Sequence, residues 1–134
     1  MKTNSPLYEV LYISVLAPHA PISSIAGIAA KARVANLALG ITGLLIFDGM
    51  RFCQQLEGEQ KAVLKLMARI QTDTRHTHVE VLRHGPLAER RFRRFSLGYV
   101  SVDDEDVLGQ LAQLDGAAAV NAFVALLSRL DMDA

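Results

Sequence analysis

Runs of β-forming residues and runs with helical periodicity alternate along the first hundred residues, and their order limits the folds open to this chain. The dipeptide Asp48-Gly49 is the sharpest boundary in the pattern, because it supplies the positive φ values of a tight hairpin turn. It joins the apolar runs Ile41 to Phe47 and Arg51 to Leu56. These two runs therefore predict a β-hairpin in the middle of the chain.

Three further segments are predicted strands and two are predicted helices. The strands are Leu7 to Val15, His78 to Leu82 and Phe92 to Val100, and the helices are Ile22 to Leu39 and Glu59 to Thr74. Gly85-Pro86 is the predicted break between the last two strands. Gly40 ends the first helix, whose apolar residues recur at helical spacing. The chain order is therefore βαββαββ.

This order is the split β-α-β pattern of an α+β, ferredoxin-like fold, in which the sheet carries both helices on one face. The other face of such a sheet needs a cover. Two apolar stripes in the tail can provide it: Val107, Leu108, Leu111 and Leu114, then Val120, Phe123, Val124, Leu127 and Leu130. We expect one or two C-terminal helices across that face.

The 134 residues carry no formal net charge, which removes the bulk electrostatic argument for a nucleic-acid partner. The balance is uneven, however. Residues 1–100 hold 13 Lys and Arg against 7 Asp and Glu, and residues 101–134 hold 1 against 7. One dense basic run, Arg90-Arg91-Phe92-Arg93-Arg94, lies beside Glu89. We expect these arginines to pair with groups of this chain, the acidic tail included, or of a protein partner.

The single cysteine, Cys53, excludes an internal disulfide framework and favours a reducing, cytoplasmic compartment. No apolar run approaches the roughly 20 residues of a membrane helix, so no membrane partner is expected. Because Cys53 precedes Gln54 in a strand, its side chain is predicted on the opposite sheet face, as a small buried hydrophobe.

Signatures of hydrolytic, nucleotide-binding and metal sites are absent, and His76 and His78 are interpreted as surface residues, with no metal site predicted. Polar residues do occur where a core should be apolar: Tyr12, Asn36, Gln54 and Gln55. A buried amide or phenol without a hydrogen-bond partner costs about 1 to 3 kcal/mol. These residues are therefore either partly exposed or committed to a function.

Five segments together resemble the BLUF family, the blue-light sensors that use FAD, and the resemblance covers residues from about 7 to 100. The segments are Tyr12-Ile13-Ser14, Ala32 to Asn36 with Gly40 to Gly43, Phe52 to Gly58, Arg69 to His76, and Arg90 to Phe92 with Phe95 to Tyr99. Each segment alone is weak, but their order and spacing agree with the βαββαββ prediction.

The resemblance implies FAD with its isoalloxazine ring between the two helices and the sheet. Ile28 and Ile70 match the residues that sandwich the ring, whereas Asn36 and Arg33 match residues at its pyrimidine edge. Arg75 and His76 match positions near the ribityl and phosphate groups. The helical spacing is compatible, because Ile28, Ala32 and Asn36 recur every four residues and share one helix face.

Tyr12 and Gln54 match the family's photochemical pair. The implied mechanism is a reversible, light-driven electron and proton transfer from Tyr12, followed by a rearranged hydrogen bond of Gln54, with no substrate turned over. This chain departs from the family on the last strand, where Phe95 and Leu97 stand in place of tryptophan and methionine. The loss of the methionine sulfur bears on how the Gln54 switch couples to the sheet.

The resemblance further implies a flavin-binding domain over residues 1–100 and a helical extension over residues 101–134. Signals are expected to run from Gln54 through the third and last strands to the tail helices, and to reach a downstream protein partner or another copy in a homo-oligomer. Two alternatives remain: a light-insensitive flavin-binding or protein-interaction module, and a flavin-dependent oxidoreductase.

Overall fold

The computed structural model describes residues 6–100 and 106–132. Within these residues a six-stranded sheet is formed by β1 Leu7–Leu16, β2 Thr42–Phe47, β3 Arg51–Glu59, β4 His76–Leu87, β5 Phe95–Tyr99 and β6 Asp131–Met132. The α-helices are α1 Ile25–Ala38, α2 Gln60–Gln71, α3 Val107–Leu111 and α4 Gly116–Leu126. Short 3₁₀ turns at Ile22–Ser24 and Leu127–Arg129 precede α1 and follow α4.

The strand order is β4-β1-β3-β2-β5-β6. The first four strands in that order pair antiparallel, as a ferredoxin-like core requires, and β5 adds to β2 in parallel. The predicted fold class is confirmed. β6 had no counterpart in the sequence prediction, because a two-residue strand carries no periodic signal.

The two faces of the sheet bury separate cores, because successive side chains of a strand point to opposite faces. Val10, Tyr12, Leu45, Phe95 and Leu97 belong to the core beneath α1 and α2. The other core lies beneath α3 and α4; its sheet members include Leu11, Ile13, Leu44, Ile46 and Cys53. The sheet is thus covered on both sides, and Cys53 is fully buried in the second core as predicted.

The predicted break at Gly85-Pro86 is wrong, because β4 continues through both residues to Leu87. β4 is an edge strand that pairs only with β1, where Pro86 lies opposite Tyr8. A proline without an N–H group is tolerated in such a strand because one side of it needs no partner.

The ends of several predicted elements shift for local reasons. Glu59 begins no helix, because it pairs with Leu7 as the last residue of β3. β5 begins at Phe95, three residues later than predicted, because hydrogen bonds to Glu57 hold the backbone of Arg91 and Phe92. α1 begins at Ile25, after the 3₁₀ turn.

The hairpin between β2 and β3 exists, but its turn differs from the prediction. Phe47 and Phe52 are the last paired residues of β2 and β3, so the turn comprises residues 48–51, of which Arg51 is also the first residue of β3. Gly49 alone in this turn has a positive φ. Asp48 acts through its carboxylate, which accepts hydrogen bonds from the backbone N–H groups of Met50 and Arg51 at 2.9 and 2.6 Å.

The tail packs on the sheet largely as its apolar stripes predict. Leu108, Leu111 and Phe123 are buried, whereas Leu114 and Val124 of the predicted stripes are exposed. Leu114 lies beyond the end of α3 and so does not share its buried face.

Among the described residues, no helix is long and apolar enough to cross a membrane.

Candidate functional site

A cavity of about 310 Å³ opens between α1, α2 and the sheet. Seven residues predicted for the site line it: Tyr12, Ile28, Asn36, Gln54, Ile70, Arg75 and His76. They come from β1, α1, β3, α2, the turn before β4 and the start of β4, so only the folded chain brings them together. Arg33 is half-buried on α1 but does not line the cavity, and its predicted role stays a prediction.

Tyr12 and Gln54 are cross-strand neighbours in the floor of the cavity. They lie opposite each other in the β1–β3 register, and the Tyr12 hydroxyl donates a hydrogen bond to Gln54 Oε1. Both side chains are buried, at 3% and 5% exposure. Burial raises the pKa of the Tyr12 phenol far above its ordinary value, and nearby Cys53 and Asp73 raise it further. The phenol is therefore protonated in the resting protein and donates its hydrogen bond to Gln54.

Two buried amides in the cavity wall retain unused hydrogen-bonding capacity. Within residues 6–100 and 106–132, neither the Gln54 amide nitrogen nor the side-chain amide of Asn36 has a partner. Buried amides are nearly always hydrogen-bonded, so such groups facing a cavity indicate a ligand edge that carries both donors and acceptors. Of the two alternatives for Tyr12, Asn36, Gln54 and Gln55, partial exposure is therefore wrong, because all four side chains are buried.

The walls between these polar groups are apolar. Ile28 and Ala32 on α1 and Leu66 and Ile70 on α2 line the cavity across from one another. Alanine at position 32 leaves room near the sheet where a larger side chain would fill the space. The arrangement fits a flat aromatic ring held between two aliphatic walls.

His76 fixes the end of α2 against β1. Its Nε2 lies 2.7 Å from the carbonyl oxygen of Ile70, and its Nδ1 lies 2.9 Å from the Ser14 hydroxyl. Because a carbonyl oxygen only accepts, Nε2 donates to Ile70, and Nδ1 faces the Ser14 hydroxyl. His76 also packs edge-on against Tyr12. His76 is thus half-buried where a surface position was expected, whereas His78 is exposed as predicted.

The mouth of the cavity carries more cations than anions. Lys31, Arg69 and Arg75 line it together with one carboxylate, Asp73. The Arg75 guanidinium donates from Nε to Asp73 Oδ1 at 2.9 Å and holds the pKa of Asp73 at about 2, although partial burial opposes this. The net positive charge suits a phosphorylated ligand.

We expect Asp73→Asn to lower stability only slightly, by less than about 1 kcal/mol, because the ion pair is largely solvated. The pKa of Asp73 falls from 3.8 to about 2 on folding, so its contribution is complete above pH 4 and disappears as pH falls through 2. Urea unfolding of both proteins between pH 7 and 2 measures this. A stability difference that persists unchanged at pH 2 would contradict the assignment.

The predicted coupling residues, Phe95 and Leu97, are buried in the core on the cavity side of the sheet. By register, Leu97 pairs with Leu45, and Leu45 pairs with Gln54. Two strand spacings, about 9.6 Å, therefore separate the backbones of Leu97 and Gln54. Leu45, which no sequence signal singled out, stands between them.

The cavity meets the requirements of a flavin. It offers aliphatic walls at Ile28 and Ile70 for the ring, unpartnered amides at Asn36 and Gln54 for a polar edge, and cations at its mouth for a phosphate. Sequence reasoning missed Lys31, Leu45 and Asp73, since a charged helix or turn residue and a strand leucine are unremarkable in isolation.

Comparison with known proteins agrees with this geometry. The family model described as "Sensors of blue-light using FAD" (BLUF) matches residues 7–98. The photoactivated adenylate cyclase subunit beta of Euglena longa is 33% identical over 89 residues, which are 66% of this chain and 10% of that protein. The chain spans 6% to 21% of the curated relatives that match.

Solved structures show the same fold. The dark-state structure of the BLUF protein BlrB superposes with a TM-score of 0.71 at 32% identity, covering 92% of this chain and 98% of that one. The ground state of BlsA superposes with a TM-score of 0.79 over 96% of this chain and 91% of that one. At 23% identity, the second likeness concerns the fold alone.

Proposed function

The chain belongs to the BLUF family of blue-light sensors that use FAD, and from this premise we propose that its light response begins at the Tyr12–Gln54 pair. The observation that carries the proposal is the hydrogen bond from the Tyr12 hydroxyl to Gln54 Oε1, in a cavity wall where the amide nitrogen has no partner among the described residues. Gln54 therefore lies between the ligand edge and the Tyr12 phenol, so a change in its hydrogen bond at the ligand also changes its hydrogen bond to Tyr12.

In the proposed complex, Ile28 and Ile70 hold the flavin ring between them, and Asn36 and Gln54 bind its polar edge. Lys31, Arg69 and Arg75 at the cavity mouth favour a phosphorylated flavin, and the family favours FAD. When bound, the flavin absorbs blue light and becomes a strong oxidant.

Tyr12 supplies the electron and the proton in this proposal. Its phenol is an oxidisable group, and its proton already points at Gln54 Oε1. A glutamine amide both donates and accepts, so Gln54 can exchange the two roles between Tyr12 and the ligand edge. Return of both the electron and the proton to Tyr12 leaves the rearranged Gln54 hydrogen bond as the lasting change, and reversal of that hydrogen bond in the dark restores the starting state.

BLUF domains are sensor modules, and we propose that this chain turns over no substrate. Its output would be an altered contact with a protein partner or with another copy of itself, in the cytoplasm. The tail helices α3 and α4 support such a role because they cover the sheet face opposite the cavity. Arg90 and Arg91 pair with groups of the sheet, and Asp106 of the tail pairs with Arg51.

The absorption spectrum of the purified protein tests the proposal. We expect a yellow protein whose flavin band shifts reversibly to the red under blue light. A colourless protein that takes up no added FAD would refute flavin binding. Bound flavin with an unchanged spectrum would favour the light-insensitive module, and bleaching by NAD(P)H would favour an oxidoreductase.

A further inference from the structure

Three polar side chains are buried on the sheet face opposite the cavity, and the photochemistry does not use them. Glu9 on β1 and Gln55 and Glu57 on β3, here called the acidic cluster, are 3%, 1% and 0% exposed. Glu9 and Glu57 lie directly opposite each other in the β1–β3 register. Two carboxylates so placed repel each other unless other groups compensate them.

The compensation comes from one amide and two arginines. Gln55 Nε2 donates to Glu9 Oε1 at 2.8 Å and to Glu57 Oε2 at 3.1 Å. Arg91 Nη1 donates to Glu9 Oε1 at 2.7 Å and lies 3.8 Å from Glu57 Oε2. Arg83 Nε lies 3.5 Å from Glu9 Oε2, an ion pair without a hydrogen bond. Two positive charges thus balance the two negative ones.

Glu57 also holds the connection between β4 and β5. Its Oε1 accepts from the backbone N–H groups of Arg91 and Phe92 at 2.8 and 3.2 Å. Its backbone carbonyl accepts from Arg90 Nη1 at 3.0 Å. One residue of β3 therefore binds three consecutive residues of a surface connection through both its side chain and its backbone.

The connection between β4 and β5 links the cores on the two faces of the sheet. Phe92 packs edge-on against Phe123 of α4, in the tail layer. Three residues later the chain enters β5, whose Phe95 and Leu97 belong to the core on the cavity side. Glu57 thus ties the strand that carries Gln54 to the start of β5 and, through Phe92, to the tail helices.

Stability alone does not account for such a cluster. Buried ion pairs are often no more stabilising than apolar residues of the same volume, because desolvation offsets their attraction. Directional bonds to fixed carboxylates do, however, hold a segment in one position. The acidic cluster is therefore suited to positioning the strands rather than to adding stability.

We propose that Glu57, together with its ion-pair partner Arg91, is a positioning residue of the photosensor. It determines how rigidly β3 and β5 are held around Gln54. The proposal rests on the light response proposed above. The contacts of Glu57 and Arg91 are here called the anchor. Without them the strands around Gln54 are less rigid, so the rearranged Gln54 amide returns to its dark orientation over a lower energy barrier. Light should also change the exposure of the anchored connection.

The test measures thermal recovery in the dark after blue light, in Glu57→Gln and Arg91→Gln. We expect both variants to bind flavin and to keep the full red shift, because Tyr12 and Gln54 are untouched. Recovery should be about tenfold faster in each variant and no faster in the double variant, since each substitution removes the same ion pair between Glu57 and Arg91. Hydrogen exchange of residues 88–97 should differ between dark and light only in the wild type.

Two controls separate positioning from general weakening. Glu59→Gln changes an exposed glutamate at the end of β3, and Leu108→Ala removes buried side-chain volume from the core beneath α3 and α4. Both should recover at the wild-type rate. The proposal would be overturned if both anchor variants, Glu57→Gln and Arg91→Gln, recovered at the wild-type rate. It would also be overturned if Leu108→Ala recovered as fast as the anchor variants. If Glu57→Gln does not fold, Arg91→Gln, with its side chain 30% exposed, decides the question.

The wild type in the same experiment distinguishes this inference from its premise. A wild type without a red shift would overturn the proposed light response and this inference together. A wild type with a normal photocycle and unaffected anchor variants would overturn only the role of Glu57.

Discussion

Tyr12→Phe is expected to abolish the light-induced red shift while leaving flavin bound. The substitution removes one oxygen from the cavity floor and keeps the ring, so the aliphatic walls at Ile28 and Ile70 are unchanged. It removes both the oxidisable phenol and the donor to Gln54 Oε1. Gln54→Leu should have the same effect, because leucine can neither donate nor accept. Difference spectra recorded before and after blue light measure both variants.

Tyr8→Phe is the matched control for the phenol. Tyr8 lies on the same strand and faces the same core, but its hydroxyl is hydrogen-bonded to His84 Nδ1 at 2.6 Å. This variant should keep the full shift. A normal shift in Tyr12→Phe would show that the photochemistry does not begin at this phenol. Loss of the shift in Tyr8→Phe as well would point to a general effect on the sheet.

Gly43→Ala should be the most destabilising single methyl addition in the sheet, at about 4 kcal/mol. A Cβ atom at position 43 would lie 1.8 Å from the backbone oxygen of Gln55, and the φ of +155° is one that L residues rarely adopt. Gly43 pairs with Leu56 of β3 and Phe95 of β5. Because the clashing atom belongs to the backbone, the clash can be relieved only by moving β2 away from β3, and not by a change of side-chain rotamer.

Urea denaturation measures this loss, with Gly27→Ala as its control. Position 27 lies within α1, and a Cβ there meets nothing within 4 Å. Alanine should raise helix stability at this position by up to about 1 kcal/mol, because it restricts the unfolded chain. A loss below about 1 kcal/mol in Gly43→Ala would mean that β2 and β3 are less tightly apposed than described.

Local chemistry explains why much of the fold was predictable. Alternation along β3 assigns Gln54 and Cys53 to opposite faces, because the side-chain period of a strand is two residues. Helical spacing likewise places Ile28 and Asn36 on one side of α1. The resemblance to the BLUF family then supplied the reason for placing these faces around a common ligand.

The predicted ends of elements were wrong where distant contacts override local signals. Gly85-Pro86 is a strong local signal for a break, yet β4 continues because an edge strand needs hydrogen bonds on one side only. The late start of β5 has a similar origin. Glu57, 34 residues from Arg91, captures the backbone that local propensity assigns to the strand.

The amino-acid pattern alone predicts the succession of strands and helices, the alternation of side chains within a strand, and the family resemblance at Tyr12, Asn36 and Gln54. These properties depend on neighbours a few residues apart. The anchor at Glu57, the place of Leu45 between Gln54 and Leu97, and the cations around the cavity mouth emerge only when the chain closes on itself. They depend on groups far apart in sequence, whose charges and hydrogen bonds acquire partners only through strand pairing and burial.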